Sequence, residues 1–169
     1  MSVEAMQGSL AVSERIMTGY DTISTETWKV RLPIDWTERE SSTEESVYFE
    51  SADTTKGAYF STWRFDDDPR SAREILESFR RVELRSFDEM EGRTWQRVDE
   101  WSADTPTGMT LGVDCLDREH SYRIVCHLII RLPWLVRSSF HDYDCADYDM
   151  SKGFFRPIIQ SLEIHHEYT

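Results

Sequence analysis

From residue 108 onwards, three apolar runs follow one another at hairpin spacing: "GMTLGVDCLD", "HSYRIVCHLIIRLP" and "WLVRSSFHDY". "DREH" makes a tight turn between the first two, and "LPW" separates the next pair. Links this short admit only antiparallel neighbours, because a parallel pair needs a crossover of a dozen or more residues. Just upstream, "EMEGRTWQRVDEWSA" turns at Gly92 and becomes a strand carrying Trp95, Val98 and Trp101. Any fold for this chain has to be built around that four-strand meander.

The preceding segments supply partners for it. In "TETWKVRLP", Trp28, Val30 and Leu32 alternate with Lys29 and Arg31, the period of a half-buried strand stopped by Pro33. "PIDW" turns the chain, and "ERESSTEES" reads as a solvated acidic loop. "SVYFESADTTKGAYFSTWRF" reads as two strands joined by a polar turn. In the second, Tyr59, Ser61, Trp63 and Phe65 share one face and Ala58, Phe60 and Thr62 the other, as suits an interior strand.

Two segments have helical spacing. In "DDDPRSAREILESFRRVELRSF" Asp68 is placed to cap, Pro69 fits the first helical position, and Ala72, Ile75, Leu76, Phe79 and Val82 form the apolar stripe. Arg73, Glu77, Arg80 and Arg81 form the solvated side. "DMSKGFFRPIIQSLEI" carries Phe154, Phe155, Ile158, Ile159 and Leu162 at helical spacing. Pro157 predicts a turn or kink there, with the main helix after about Arg156. Strands grouped apart from helices define an α+β class, a mostly antiparallel sheet of about six to seven strands flanked by helices. The expected organisation is a loose arm or short helix over 1–21, one domain over 22–165 and a tail over 166–169; 169 residues suffice for one sizeable core.

The order "WKVRLPIDW", strand pair, helix, meander and closing "FFRPIIQSLEI" resembles the PsbP-like fold family. That family opens on a strand with a P-x-x-W turn, here Pro33 and Trp36, and closes on an I-x-x-S-L motif, here Ile158 or Ile159 with Ser161 and Leu162. The match spans roughly residues 22 to 164. The resemblance implies a non-catalytic protein binder, since its members include photosystem subunits, a Ran GTPase partner, secretion-effector chaperones and toxin-immunity proteins.

Charge narrows the class of partner. With 32 Asp plus Glu against 19 Lys plus Arg, the formal net charge is -13. Such a surface repels phosphate backbones and anionic lipid, and it steers a basic protein. The sequence therefore predicts a basic protein partner, no nucleic acid and no membrane. "MSVEAMQGSLAVSERIMTGY" lacks the basic and apolar regions of a signal peptide, and "IVCHLIIRLPWLV" is too interrupted to span a bilayer, so a cytoplasmic protein is expected, and a bacterial binding protein only through the resemblance.

The most concentrated chemistry is "SSFHDYDCADYDMS". Asp142, Asp144, Asp147 and Asp149 with His141 offer ligands to a hard metal, but the glycine and terminal Glu of a calcium loop are missing. Cys145 with His141, or Cys126 with His120 or His127, would need a base in reach and a third orienting group; adjacent strand residues such as Cys126 and His127 point apart. Cys115, Cys126 and Cys145 imply no disulfide framework, and the "HHEYT" end is an incidental pair of histidines. Neither metal, cofactor nor catalytic residue is expected. The predicted partner-binding set is Asp142, Asp144, Asp147 and Asp149 with Tyr143 and Tyr148, the carboxylates steering and the tyrosines anchoring.

Overall fold

A computed structural model of the chain describes residues 11–16, 19–41, 43, 45–106 and 108–165. The expected tail and the first ten residues of the expected arm lie outside the described residues.

Hairpin links produce a large antiparallel sheet. Its strands are β4 (Thr37–Arg39), β5 (Ser46–Glu50), β6 (Lys56–Arg64), β7 (Gln96–Thr105), β8 (Gly108–Asp117), β9 (Tyr122–Arg131) and β10 (Trp134–Asp142). They pair in the order β4-β5-β6-β10-β9-β8-β7, so the four-strand meander is continuous and β10 joins it to the β5–β6 hairpin. Phe140 lies between Ala58 of β6 and Val125 of β9, and that register sends Phe60, Phe140 and Val125 to one face.

A second sheet, absent from the sequence reading, covers this face. It consists of β1 (Ala11–Ile16), β2 (Tyr20–Ser24), β3 (Trp28–Pro33) and β11 (Glu163–Ile164) in the order β1-β2-β3-β11. Residues 11–16, expected within a loose arm or short helix, are thus a strand paired with residues 20–24. The start of the expected acidic loop, Glu38 and Arg39, likewise belongs to an edge strand, Thr37–Arg39. Trp28, Val30 and Leu32 are buried as alternation predicts, and Trp28 stacks on Phe60 at 4.8 Å.

The helices cap the two faces. α1 (Ala72–Glu89) packs Ile75, Leu76 and Phe87 against β8, β9 and Leu135 of β10. Its cap is Ser71 rather than Asp68: the Ser71 hydroxyl accepts from the Glu74 amide while Glu74 accepts from the Ser71 amide. Asp68 instead holds Arg70 by a two-pronged contact, which keeps Pro69 outside the helix. The stripe also departs from its expected line, since Val82 is 57% exposed while Glu83 and Phe87 turn inward. Phe79 is half-buried, with its ring 5.0 Å from Trp63 and 6.2 Å from Phe65.

α2 (Tyr148–Ser161) runs through Pro157, so no turn precedes the proline and the helix starts well before Arg156. Pro157 and Gly153, whose carbonyl it cannot bond, are both on the exposed side, where water can take the freed acceptor. Phe155 and Ile158 are buried, and Ser161 ties α2 to β3 by accepting from the Arg31 amide at 2.9 Å. The layers are therefore α1, the large sheet, and the small sheet with α2.

Candidate functional site

α1 lies along β8 and β9 and reaches Trp63 of β6 and Leu135 and Arg137 of β10; among the described residues it leaves the end of this face that carries Tyr48 of β5 and Tyr59 of β6 without a helix over it. Period-two alternation decides what that area displays. Tyr48 of β5 pairs with Tyr59 of β6, and their rings stack at 4.2 Å. His141 of β10 pairs with Gly57 and with Ile124 of β9. The Tyr48 ring occupies the space over Gly57, where a Cβ would come within 2.6 Å of it. Any larger residue there would push the Tyr48 ring aside. Tyr143 and Tyr122 extend the layer, 5.4 Å apart, each within 6 Å of the His141 ring.

Hydrogen bonds fix these rings. The Tyr48 and Tyr143 hydroxyls are 3.1 Å apart, Tyr122 Oη is 2.6 Å from His141 Nδ1, and His141 Nε2 is 3.0 Å from Ser139 Oγ. Burial pushes His141 down to about 3, with Arg137 adding to the effect, so the imidazole is neutral at ordinary pH. Burial raises the phenols of Tyr48, Tyr122 and Tyr143 above their usual value. The rings are polar and neutral, with charge at their margin: Glu50 accepts from the Tyr48 hydroxyl at 3.3 Å, and the Arg93 guanidinium lies 5.2 Å from the Tyr122 ring.

Where this area meets α1 there is a cleft of about 100 Å³, lined by Ser86, Phe87, Met90, Ile124, Ser139 and His141. At its base Glu83 of α1 receives Arg137 of β10 through Nε and through Nη2, the latter at 2.9 Å. Burial opposes the Arg137 charge, and Glu83 outweighs it, leaving the guanidinium more firmly protonated than usual. Cys126 donates its thiol proton to Glu83, and burial first, then that carboxylate, pushes the thiol well up. Burial also takes Cys115 up to about 12 and raises Cys145. Buried, protonated thiols are poor nucleophiles. Among the described residues no group of three His, Cys, Asp or Glu side chains could hold a metal ion.

The aspartate run divides among separate jobs. Asp142 is buried at 3% exposure beside Lys56 Nζ at 3.7 Å, so it cannot belong to an exposed acidic rim. Asp147 is the N-cap of α2, its Oδ1 accepting from the Met150 amide at 3.0 Å. Asp144 and Asp149 are exposed. Tyr143 lies in the tyrosine layer, whereas the Tyr148 hydroxyl donates to Asp114 on the opposite side of the sheet. The six residues expected to form one surface are thus dispersed. Tyr48, Tyr59, Tyr122, Arg137 and Ser139 were missed. A signal for them exists in β10, where Arg137, Ser139 and His141 put polar groups at every second position of an interior strand.

No family model and no curated protein matches the chain. Among solved structures, the cyanobacterial PsbP protein CyanoP from Synechocystis aligns over 83% of this chain and 88% of its own, at 10% identity and a TM-score of 0.62. A structure from Bacteroides thetaiotaomicron aligns over 83% of this chain and 46% of its own, at 19% identity and a TM-score of 0.45. The fold is PsbP-like, an α+β arrangement with a large antiparallel sheet. No helix among the described residues is long and apolar enough to cross a membrane.

Proposed function

We propose that this chain is a non-catalytic protein-binding module whose partner is a basic protein, and that the tyrosine layer is its docking face. The carrying observation is an end of the large sheet that, among the described residues, has no helix over it and presents the half-buried Tyr59, Tyr122, Tyr143 and His141 over the buried Tyr48. Tyrosine offers large contact area at low entropic cost and recurs at the energetic centres of interfaces. The net charge of -13 supplies the steering field for a cationic partner. Buried thiols and neutral buried imidazoles support the non-catalytic part of the reading.

The most concrete form is a cytoplasmic bacterial immunity protein that covers the cleft of a basic secreted toxin. The test is co-expression with a basic toxin encoded beside this gene, followed by association kinetics. Protection from the toxin is expected, with an association rate that falls as salt rises, since charges are screened over about 8 Å at physiological ionic strength. Tyr59→Ala should mainly speed dissociation; Asp144→Asn with Asp149→Asn should mainly slow association. A salt-indifferent rate, or Tyr59→Ala binding as the parent does, defeats the proposal.

A further inference from the structure

Within that binding reading, we propose that Glu50, at the margin of the tyrosine layer, receives one arginine side chain of the partner. Register places it there: Glu50 pairs with Gly57 as Tyr48 pairs with Tyr59, so Glu50 shares a face with both tyrosines. Its side chain is only 23% exposed, yet the carboxylate is short of donors. Oε1 accepts from the Tyr48 hydroxyl at 3.3 Å. Oε2 faces Arg39 Nε at 3.5 Å, an ion pair longer than an ordinary hydrogen bond. Arg39 comes from the exposed edge strand β4 and is itself 55% exposed, and a pair of that kind is weak. A carboxylate as enclosed as Glu50 ordinarily gathers stronger donors.

The neighbouring hydroxyls cannot supply them. Tyr48 has one proton and gives it to Glu50, so Tyr143 must be the donor in the 3.1 Å link between the two phenols. The relay Tyr143–Tyr48–Glu50 therefore points its protons towards the carboxylate and has only lone pairs left to offer. A group with donors and no acceptor fits it. A partner carboxylate has acceptors alone, and an amide or hydroxyl would add an acceptor where acceptors are already in excess. Ammonium and guanidinium both meet the condition. The guanidinium fits better, because its planar fork grips a carboxylate through two bonds and lies flat on tyrosine rings. The far margin of the layer already shows this contact, with Arg93 over the Tyr122 ring at 5.2 Å. Arg39 is then a placeholder on Glu50 that the partner's arginine displaces.

The probe is N-acetyl-arginine methylamide, titrated at constant ionic strength into the intact chain while the NMR shifts of the Tyr48 and Tyr143 rings are followed. Saturable shifts are expected, several-fold tighter than with the lysine analogue and absent with the citrulline analogue, which keeps the shape without the charge. Glu50→Gln should abolish saturation. Arg39→Ala, at an exposed position, should tighten binding several-fold by removing the competing cation. Equal affinity for the lysine analogue, saturation by the citrulline analogue, persistence in Glu50→Gln, or weaker binding by Arg39→Ala would each overturn the assignment. A null titration with the arginine compound does so as well, and leaves partner docking on the tyrosine layer to be judged by its own kinetics.

Discussion

Arg123 of β9 holds Asp114 of β8 through two parallel contacts, Nε to Oδ1 at 3.0 Å and Nη2 to Oδ2 at 2.8 Å, with both side chains buried. The pair anchors α2: Arg123 Nη1 donates to Ser151, and Tyr148 donates to Asp114. Removing one partner strands a buried charge. Asp114→Ala is expected to lower unfolding stability by about 3–5 kcal/mol in urea titration, whereas replacing both residues by apolar ones of similar size should cost much less. A loss under about 1 kcal/mol for Asp114→Ala would show that water reaches the pair.

The start of α1 gives a contrast between two candidate caps. Ser71→Ala removes the acceptor for the Glu74 amide and should cost about 1 kcal/mol. Asp68→Ala should cost clearly less, because Asp68 holds Arg70 and no helical amide within α1. Equal losses in thermal unfolding would place the cap where the sequence first suggested.

Two histidines should dominate stability between neutral and mildly acidic pH. Burial lowers His127 to about 4 and His141 to about 3, from an unfolded value near 6.5. Between those values the unfolded chain binds protons that the folded chain refuses, so stability is full above about 6.5 and declines as pH falls. Each histidine contributes a slope of about 1.4 kcal/mol per pH unit across this window. His127→Asn should remove one share of the slope between pH 6 and 5, read from urea midpoints at each pH.

The helix register is checked by a pair of truncations. Phe79, half-buried against Trp63 and Phe65, should lose about 2–3 kcal/mol on conversion to alanine, short of the 3–5 kcal/mol of a fully enclosed ring. Val82→Ala should change stability by less than about 0.5 kcal/mol, because that side chain is exposed. Reversal of the two values would rotate α1 by a quarter turn.

Those two residues also show what the sequence could express. Ile75, Leu76 and Phe79 announced the buried face by hydrophobicity, but after Phe79 the inward position falls to Glu83, whose charge Arg137 of β10 neutralises. A contact between residues so distant leaves no periodic mark. The meander and the β5–β6 hairpin were legible because alternation and short turns are local properties. The second sheet was not. β2 is only half-buried along its length, and β11 has two residues, so neither carries a pattern of its own. The proposed docking face left as little trace: the aspartates are dense in one run, whereas tyrosines from four separated segments are brought together only by strand order.

The short β11 strand has a kinetic meaning as well. It pairs Glu163 and Ile164 with Lys29 and Trp28, and His165 reaches Ser24, 141 residues away in the chain. Closing so long a loop yields few contacts until the large sheet and α2 already stand between its ends. The small sheet must therefore be sealed last in folding. By the same reasoning this two-residue seam is expected to open before the long hairpins of the large sheet do.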